Sequence, residues 1–428
     1  MKSLMVIIFA CLGVYCSGQE RAGIKREAEI DRLLKALDKY RVFSGTILVV
    51  ENDTVSFLKS YGKANYETGA DNTIDTRFRI ASLSKSFTDV AIEILEEEGL
   101  IKKSDYVSKF LRDFPNGDSI TIDNLMRHRS GIKDINSLPQ YDSLSYKRYT
   151  PAQVYELIKE LPLEFEPGTA TKYSNSGFAL LAYIIEVISG KSYESFLAEK
   201  VFKPSGMHST FIDKSGFSCR NCAMGYLAEP NTGKLIRSIN WDPSIKVGSG
   251  CFTATALDVY RFFKAYYTGK LVKANYLPRN LAVPRYFQGN SPGFTSITKY
   301  FLDKNIYVVV LSNNQSRVAW TVCHKLADMI TGGRTTEFDY PEIPLKKNLV
   351  KKYAGHYYSG GFNFEIKEVN GNYAMISVKE GGLKEEWKIS ELWPLDDSQT
   401  KFLVPLFWEI VTFEPHEKGY KPVWEPAR

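Results

Sequence analysis

Histidine is scarce in this chain: His128, His208, His324, His356 and His416 are the five it has in 428 residues. None sits in a recognisable triad motif. The G-x-S-x-G pattern of nucleophile elbows is absent around Ser82, the serine singled out below. A Ser-His-Asp hydrolase is therefore disfavoured. Cysteine is scarce too. Of six, Cys11 and Cys16 lie near the start, which leaves Cys219, Cys222, Cys251 and Cys323. Cys219-Arg220-Asn221-Cys222 is one C-x-x-C with no second pair and no nearby His. A zinc site needs about four ligands, so no metal is expected. The pair reads as loop cysteines at chance spacing, with a redox pair as the alternative. No Lys/Arg run forms a nucleic-acid stripe; the formal charge of +6 is spread among mixed signs, and nucleic acid is excluded as a partner. Beyond the start no stretch is long and apolar enough to span a membrane. Internal repeats and low-complexity tracts are absent as well.

The chain does have the makings of a folded globule. Hydrophobic residues are 44% and charged residues 24%, a balance that excludes disorder. Its length exceeds one ordinary core and suits a large domain plus a small one. The 26 Tyr and 25 Phe fit broad sheets and an aromatic-lined cleft, buried packing being their commoner use. The start reads as an export signal. Lys2 supplies the positive end, Leu4 to Leu12 an apolar core too short to span, and Cys16 and Gly18 stand three and one before a cut ahead of Gln19. Residues 1–18 are thus expected to be a signal peptide, with the protein periplasmic or extracellular. In the alternative reading Cys16 becomes the acylated first residue of a membrane-anchored lipoprotein, although Tyr15 stands where a small residue is usual.

Periodicity then divides the chain. Ile30, Leu33, Leu34 and Leu37 predict a helix over 28–40. Residues 44–50 and 54–58 read as strands joined at Asn52-Asp53 in a hairpin. Leu83, Phe87, Val90, Ala91, Ile94 and Leu95 share one face of a helix over 83–98, with Gly99 as its stop. A buried helix is expected over 177–189 before Gly190, another after Asp258, and a central strand over 306–311. Gly332-Gly333, Pro341 and Pro344 mark a boundary over 332–348. Past it Phe362, Phe364 and Ile366 alternate with polar residues up to an Asn370-Gly371 turn. The expected units are 19–335 and a small β-barrel or sandwich over 345–428.

Chemistry concentrates at Phe78-Arg79-Ile80-Ala81-Ser82-Leu83-Ser84-Lys85. The S-x-x-K spacing alone says little, because five other pairs have it: Ser56/Lys59, Ser60/Lys63, Ser130/Lys133, Ser296/Lys299 and Ser398/Lys401. Ser82/Lys85 differs in opening an amphipathic helix after a strand-like run. Residues three apart on a helix are neighbours, so Lys85 can reach Ser82. At a helix start the dipole and free N–H groups favour an oxyanion. A serine hydroxyl needs a base, and a lysine serves as one only when desolvation or other cations lower its pKa. The bland reading makes Ser82 a helix cap. A second segment, Tyr173-Ser174-Asn175, follows Glu166-Pro167-Gly168 and precedes the 177–189 helix. Here the bland readings are a core aromatic for Tyr173 and a helix cap for Asn175.

With both segments in order, the sequence resembles the serine β-lactamase and penicillin-binding-protein superfamily, nearest its class C β-lactamase and esterase branch. Residues 120–132, 201–207, 248–255 with Asp258, and 308–314 resemble further segments of that family. The likeness covers roughly residues 28 to 330, and the tail resembles small β-domains appended to such proteins. It implies an α+β fold, an antiparallel sheet flanked by helices beside an all-α region, with the site between them. It also implies a serine hydrolase of the β-lactamase-like or D-alanyl-D-alanine carboxypeptidase-like class, without cofactor, acting through an acyl-enzyme on D-peptides, esters or β-lactams. By motif position Ser82 is nucleophile, Lys85 its base and Tyr173 the proton relay. Asn175 bonds the substrate amide or Lys85.

The family's third motif reads Lys or His, any residue, Gly. Counting back from Pro292-Gly293-Phe294-Thr295-Ser296 places Phe287-Gln288-Gly289 there. The basic residue is replaced by Phe287 and the glycine is kept, so a backbone can still pass close to a ligand. Gln288, Gly289 and Asn290 are the expected substrate-binding residues, the N–H of Asn290 joining that of Ser82 in an oxyanion hole. Arg285, two residues before Phe287, is a substitute cation or a solvated surface residue. The break supports one alternative, a catalytically impaired protein that binds peptidoglycan-type ligands without turnover.

Overall fold

Asn52 and Asp53 both take left-handed backbone conformations, with φ of 50° and 65°. Two successive positive φ angles match the twist of a two-residue hairpin, and Asn and Asp tolerate them. They join strand β1 (Gly45–Glu51) to β2 (Thr54–Tyr61). The computed structural model describes residues 30–31, 43–212, 219–228, 235–238, 241–273, 281, 283–315, 318–332, 346–359, 362–369, 372–378, 389–395, 398–404, 409–417 and 419–426. The leader with Cys16, most of the 28–40 helix, the Asn370-Gly371 turn and most of the 332–348 boundary lie outside the described residues.

Three further long strands complete the main sheet: β3 (Arg285–Ser291), β4 (Phe294–Phe301) and β5 (Ile306–Ser312). Their order is β3-β4-β5-β1-β2, every pair antiparallel. Strand β5 is buried along its whole length, as its Ile/Val run requires. Side chains alternate across the sheet. Leu48, Val50, Val309 and Leu311 enter the larger core, and Ile47, Val49, Val308 and Val310 enter a second core with helix α4.

The principal helices are α1 (Lys85–Glu97), α2 (Asn175–Ser189), α3 (Ala256–Tyr267) and α4 (Val318–Ile330). Helix α1 ends at Gly99 and α2 at Gly190, both with positive φ, the conformation a helix C-terminus takes most cheaply with glycine. The helix expected from residue 83 begins two residues later, because residues 81–84 form a tighter 3₁₀ turn. The one expected from 177 begins at Asn175. On α1, Phe87 meets Phe202, Phe252 and Phe262 edge to face. Burying such a side chain contributes roughly 1.5–3 kcal/mol, so this ring pins α1 against the all-α region.

Past residue 346 the chain is all β: one sheet from strands Gly355–Ser359, Phe362–Val369, Asn372–Val378 and Ile389–Glu391, another from Trp393–Pro394, Lys401–Val404, Glu409–His416 and Gly419–Pro426. The two share a core around Tyr353, Phe364, Met375, Phe402 and Phe413. Cys219 and Cys222, read from sequence as loop cysteines at chance spacing with a redox pair as the alternative, are joined by a disulfide. Their Cα atoms lie 5.4 Å apart, within the reach of a bridge.

Candidate active site

Ser82 sits in the 3₁₀ turn ahead of α1, directly after Ala81, whose φ of 48° is unusual for a residue with a Cβ. Such strain is held only where surroundings over-determine it. Strand β3 supplies part of that hold. A Cβ on Gly289 would lie 2.3 Å from the Ile80 carbonyl oxygen and 2.8 Å from the Ser82 nitrogen. Glycine is therefore required for β3 to pass so close. From β4 the Ser296 hydroxyl donates to the same Ile80 carbonyl at 2.7 Å.

Lys85 is one turn on, with 7% of its surface exposed. Its Nζ donates to Ser82 Oγ at 3.2 Å, Asn175 Oδ1 at 2.8 Å and the Ser249 carbonyl at 2.8 Å. An ammonium has three donors and all are engaged. Once neutral, the amine keeps two N–H groups. The Asn175 Oδ1 and Ser249 carbonyl oxygens can only accept, so they claim both, and the lone pair falls toward Ser82 Oγ. Burial, then the charge of Lys246, lower the Lys85 pKa to about 7; Asp134, Asp89 and Cys251 oppose the shift.

Tyr173 closes the triangle, its hydroxyl 2.6 Å from Ser82 Oγ. Desolvation raises its pKa, which the Ser82 hydrogen bond partly offsets. The phenol therefore stays protonated and can both accept and donate. His128 packs against it with ring centroids 4.5 Å apart, and its Nδ1 accepts the Ser174 N–H at 3.2 Å. Burial, then the charge of Lys85, lower the His128 pKa to about 4, so the imidazole is neutral.

Asn175 faces inward. Besides accepting from Lys85, it donates through Nδ2 to Asp134 Oδ2 at 2.9 Å. Of its two expected roles the structure shows the bond to Lys85. Asp134 caps the turn Ile135–Ser137 through the Asn136 N–H, and Ser176 Oγ locks this loop onto α2 by accepting from Ile135 N and donating to the Lys133 carbonyl. Ser82, Lys85, Tyr173 and Asn175 thus converge, and Gly289 touches the Ser82 turn. Gln288 and Asn290 lie on the exposed face of β3, and the Asn290 side chain accepts from Thr295 Oγ1 at 3.1 Å.

Phe287 turns to the other face, its ring 4.7 Å from Phe263 and 6.5 Å from Tyr300. The position where the third-motif base is expected is filled by aromatic packing. Arg285 shares that face near Tyr267, whose pKa burial raises and the Arg285 charge partly offsets. It stands two residues, about 7 Å, up the strand from Phe287. Sequence reasoning missed His128, Asp134 and Lys246. His128 had a signal, since it falls inside the 120–132 segment. Asp134 and Lys246 had none, as only the tertiary fold brings them to the cleft. Among the described residues no group of His, Cys, Asp or Glu side chains is placed to hold a metal ion, and no helix is long and apolar enough to cross a membrane.

A serine, a buried lysine and a tyrosine gathered between an antiparallel sheet and an all-α region define a β-lactamase-like serine hydrolase. Residues 30–323 match the family described as Beta-lactamase, and the chain belongs to that family. It is 32% identical over 58% of its length to PbpX, a penicillin-binding protein of Bacillus subtilis (strain 168), and spans 60% of that protein. It is 27% identical over 67% of its length to a teichoic acid D-alanine hydrolase of Staphylococcus aureus, spanning 76% of that chain. In fold it resembles the octameric penicillin-binding protein homologue of Pyrococcus abyssi, with a TM-score of 0.64, 21% identity, and coverage of 93% of this chain and 95% of that one. That likeness takes in the C-terminal sheets as well as the main body.

Proposed function

We propose that the protein is an exported hydrolase that forms an acyl-enzyme at Ser82 on D-peptide, ester or β-lactam type substrates. The observation that carries this reading is Lys85, buried, lowered to about 7 and aimed at Ser82 Oγ from 3.2 Å. At neutral pH a good share of the molecules hold a neutral amine there. Ser82 Oγ attacks the carbonyl carbon while Lys85 takes its proton. The oxyanion is met by the Ser82 N–H and the Asn290 N–H. In a two-residue turn at Pro292-Gly293, Ser291 and Phe294 form the bonded pair, so the next residue, Asn290, directs its N–H to the open edge of the sheet. Lys85 then returns its proton through Tyr173 to the leaving group as the carbonyl–leaving-group bond breaks, and water hydrolyses the acyl ester. The teichoic acid D-alanine hydrolase relative supports a D-amino acid in the substrate.

Export and the units 19–335 and 345–428 belong to the same proposal, with residues 1–18 as signal peptide or Cys16 as lipid anchor. Phe287 favours one second reading: binding of peptidoglycan-type ligands without turnover. Intact-mass analysis after treatment with a fluorophosphonate or a labelled penicillin tests the first. One adduct, mapped to Ser82 and lost in Ser82→Ala, is expected. An unmodified protein that still binds a D-peptide would establish the second reading instead.

A further inference from the structure

Two segments outside the third motif reach the groups around Lys85. Residues 134–149 do so through Asp134, which accepts from the Asn175 that bonds Lys85, and the turn Pro243–Lys246 packs against that stretch. The Asp242 N–H donates to the Ser145 carbonyl at 2.7 Å, and the Tyr149 N–H donates to Ser244 Oγ at 2.8 Å. Arg148 and Asp242 add an ion pair at 3.2 Å. The Lys246 carbonyl accepts from the N–H groups of Ser249 and Gly250. It thereby holds the Ser249 carbonyl onto Lys85 Nζ. The Lys246 side chain is half-buried, and its charge acts on Lys85.

That side chain has donors to spare. Its Nζ bonds Asn136 Oδ1 and lies 4.9 Å from the centre of the Tyr141 ring. Among the described residues it forms no ion pair. An ammonium offers three N–H groups, so two have no protein acceptor among the described residues. Lys85, the other cation here, has all three engaged. A desolvated ammonium without a bonded counter-ion is costly, and an arriving anion removes the cost.

We infer that Lys246 is the cation of an anion subsite in this cleft, holding a carboxylate carried by a short D-peptide or ester substrate whose carbonyl lies on Ser82. The inference builds on the acyl-enzyme reading and adds the charge of the substrate to it. Phe287 stands where the third motif's cation is expected, and Lys246 supplies one from another segment. Burial already lowers its pKa to about 8, with Asp134 opposing, and a bound carboxylate would restore the ordinary value. Asp134 forms no ion pair with Lys246; its oxygens accept from Asn175 Nδ2 and the Asn136 N–H.

Calorimetry on the full chain carrying Ser82→Ala tests this without any need for turnover. The ligands are a D-alanyl-D-alanine peptide as free acid and as C-terminal amide, and an N-acyl-D-alanine amide with and without a carboxylate on the acyl group. The first pair moves the charge on the leaving side and the second on the acyl side. In at least one pair the acid should bind tighter by about tenfold or more, the size of a hydrogen bond to a charged group. Adding Lys246→Gln should abolish that preference, and Lys246→Arg should keep most of it. Equal binding of acid and neutral forms in both pairs would overturn the inference. So would a preference that survives Lys246→Gln. Acylation of wild type by a neutral ester reports separately on the Ser82 reading, so each can fail alone.

Discussion

The His128 ring lies 4.5 Å from the Tyr173 ring, centroid to centroid, and its Nδ1 accepts the N–H of Ser174, the next residue. One neutral side chain therefore fixes both the ring and the backbone of the residue whose hydroxyl touches Ser82. His128 itself adopts a φ of 57°, and its carbonyl accepts the Lys172 N–H. The 172–174 stretch is clamped on both sides of Tyr173. This makes His128 a positioning residue, without any proton transfer of its own.

Substitution should reveal that role. His128→Phe keeps the ring stack and loses the acceptor, whereas His128→Ala loses both. Leaving the Ser174 N–H unpaired costs about 1–3 kcal/mol. Ester turnover should fall in the order wild type, His128→Phe, His128→Ala, with kcat carrying most of the loss. The pKa of His128 is lowered to about 4, so the unfolded chain binds the proton first on acidification. Stability should therefore decline as pH falls from about 6.5 toward 4. That part of the decline should vanish in His128→Phe, read as the urea midpoint against pH. An identical decline in both proteins would refute it.

In the proposed mechanism Lys85 sets the pH dependence of acylation. A general base lowered to about 7 makes the rate rise with pH through that value and then level. Lys246 contributes to the lowering through its charge. Lys246→Gln should therefore raise the Lys85 pKa and move the rising limb to higher pH, even for a neutral ester. Lys85→Ala should slow labelling by roughly two to four orders of magnitude. Pre-steady-state ester hydrolysis across pH measures both, and a limb unmoved by Lys246→Gln would show that the two lysines are not coupled.

Much of this was legible in the sequence, and the limits follow from what local pattern encodes. Ser82 and Lys85 stand one helical turn apart, so their meeting needs only α1. Hairpin β1–β2 needs only Asn52 and Asp53, and the buried β5 needs only its apolar run. Asn175 was legible as a motif member, but its bonds were not, because Asp134 reaches it from 41 residues away. Lys246 reaches the cleft from 161 positions past Lys85, counted on the sequence, with no spacing rule to reveal it. The start of α1 was misplaced because amphipathic periodicity runs straight through the 81–84 turn. That turn lies against β3, a tertiary contact the local pattern does not encode.

That contact yields the last prediction. In Gly289→Ala the new Cβ must sit where the Ile80 oxygen is 2.3 Å away and the Ser82 nitrogen 2.8 Å away. Both neighbours are backbone, so neither can rotate aside, and β3 or the Ser82 turn must shift. A displacement of about 1 Å at reacting groups can cost on the order of a hundredfold in rate. The strand itself need not unfold, because β3 lies at the sheet edge and keeps its register with β4 from Arg285↔Tyr300 to Ser291↔Phe294. Gly289→Ala should therefore lose acylation by roughly that factor while retaining native circular dichroism and most of its thermal stability. A nearby control, Gln288→Ala on the exposed face of the same strand, should stay close to wild type in stability. If Gly289→Ala acylates as fast as wild type, β3 does not form the wall against Ser82, and the Asn290 N–H has no place in the oxyanion hole.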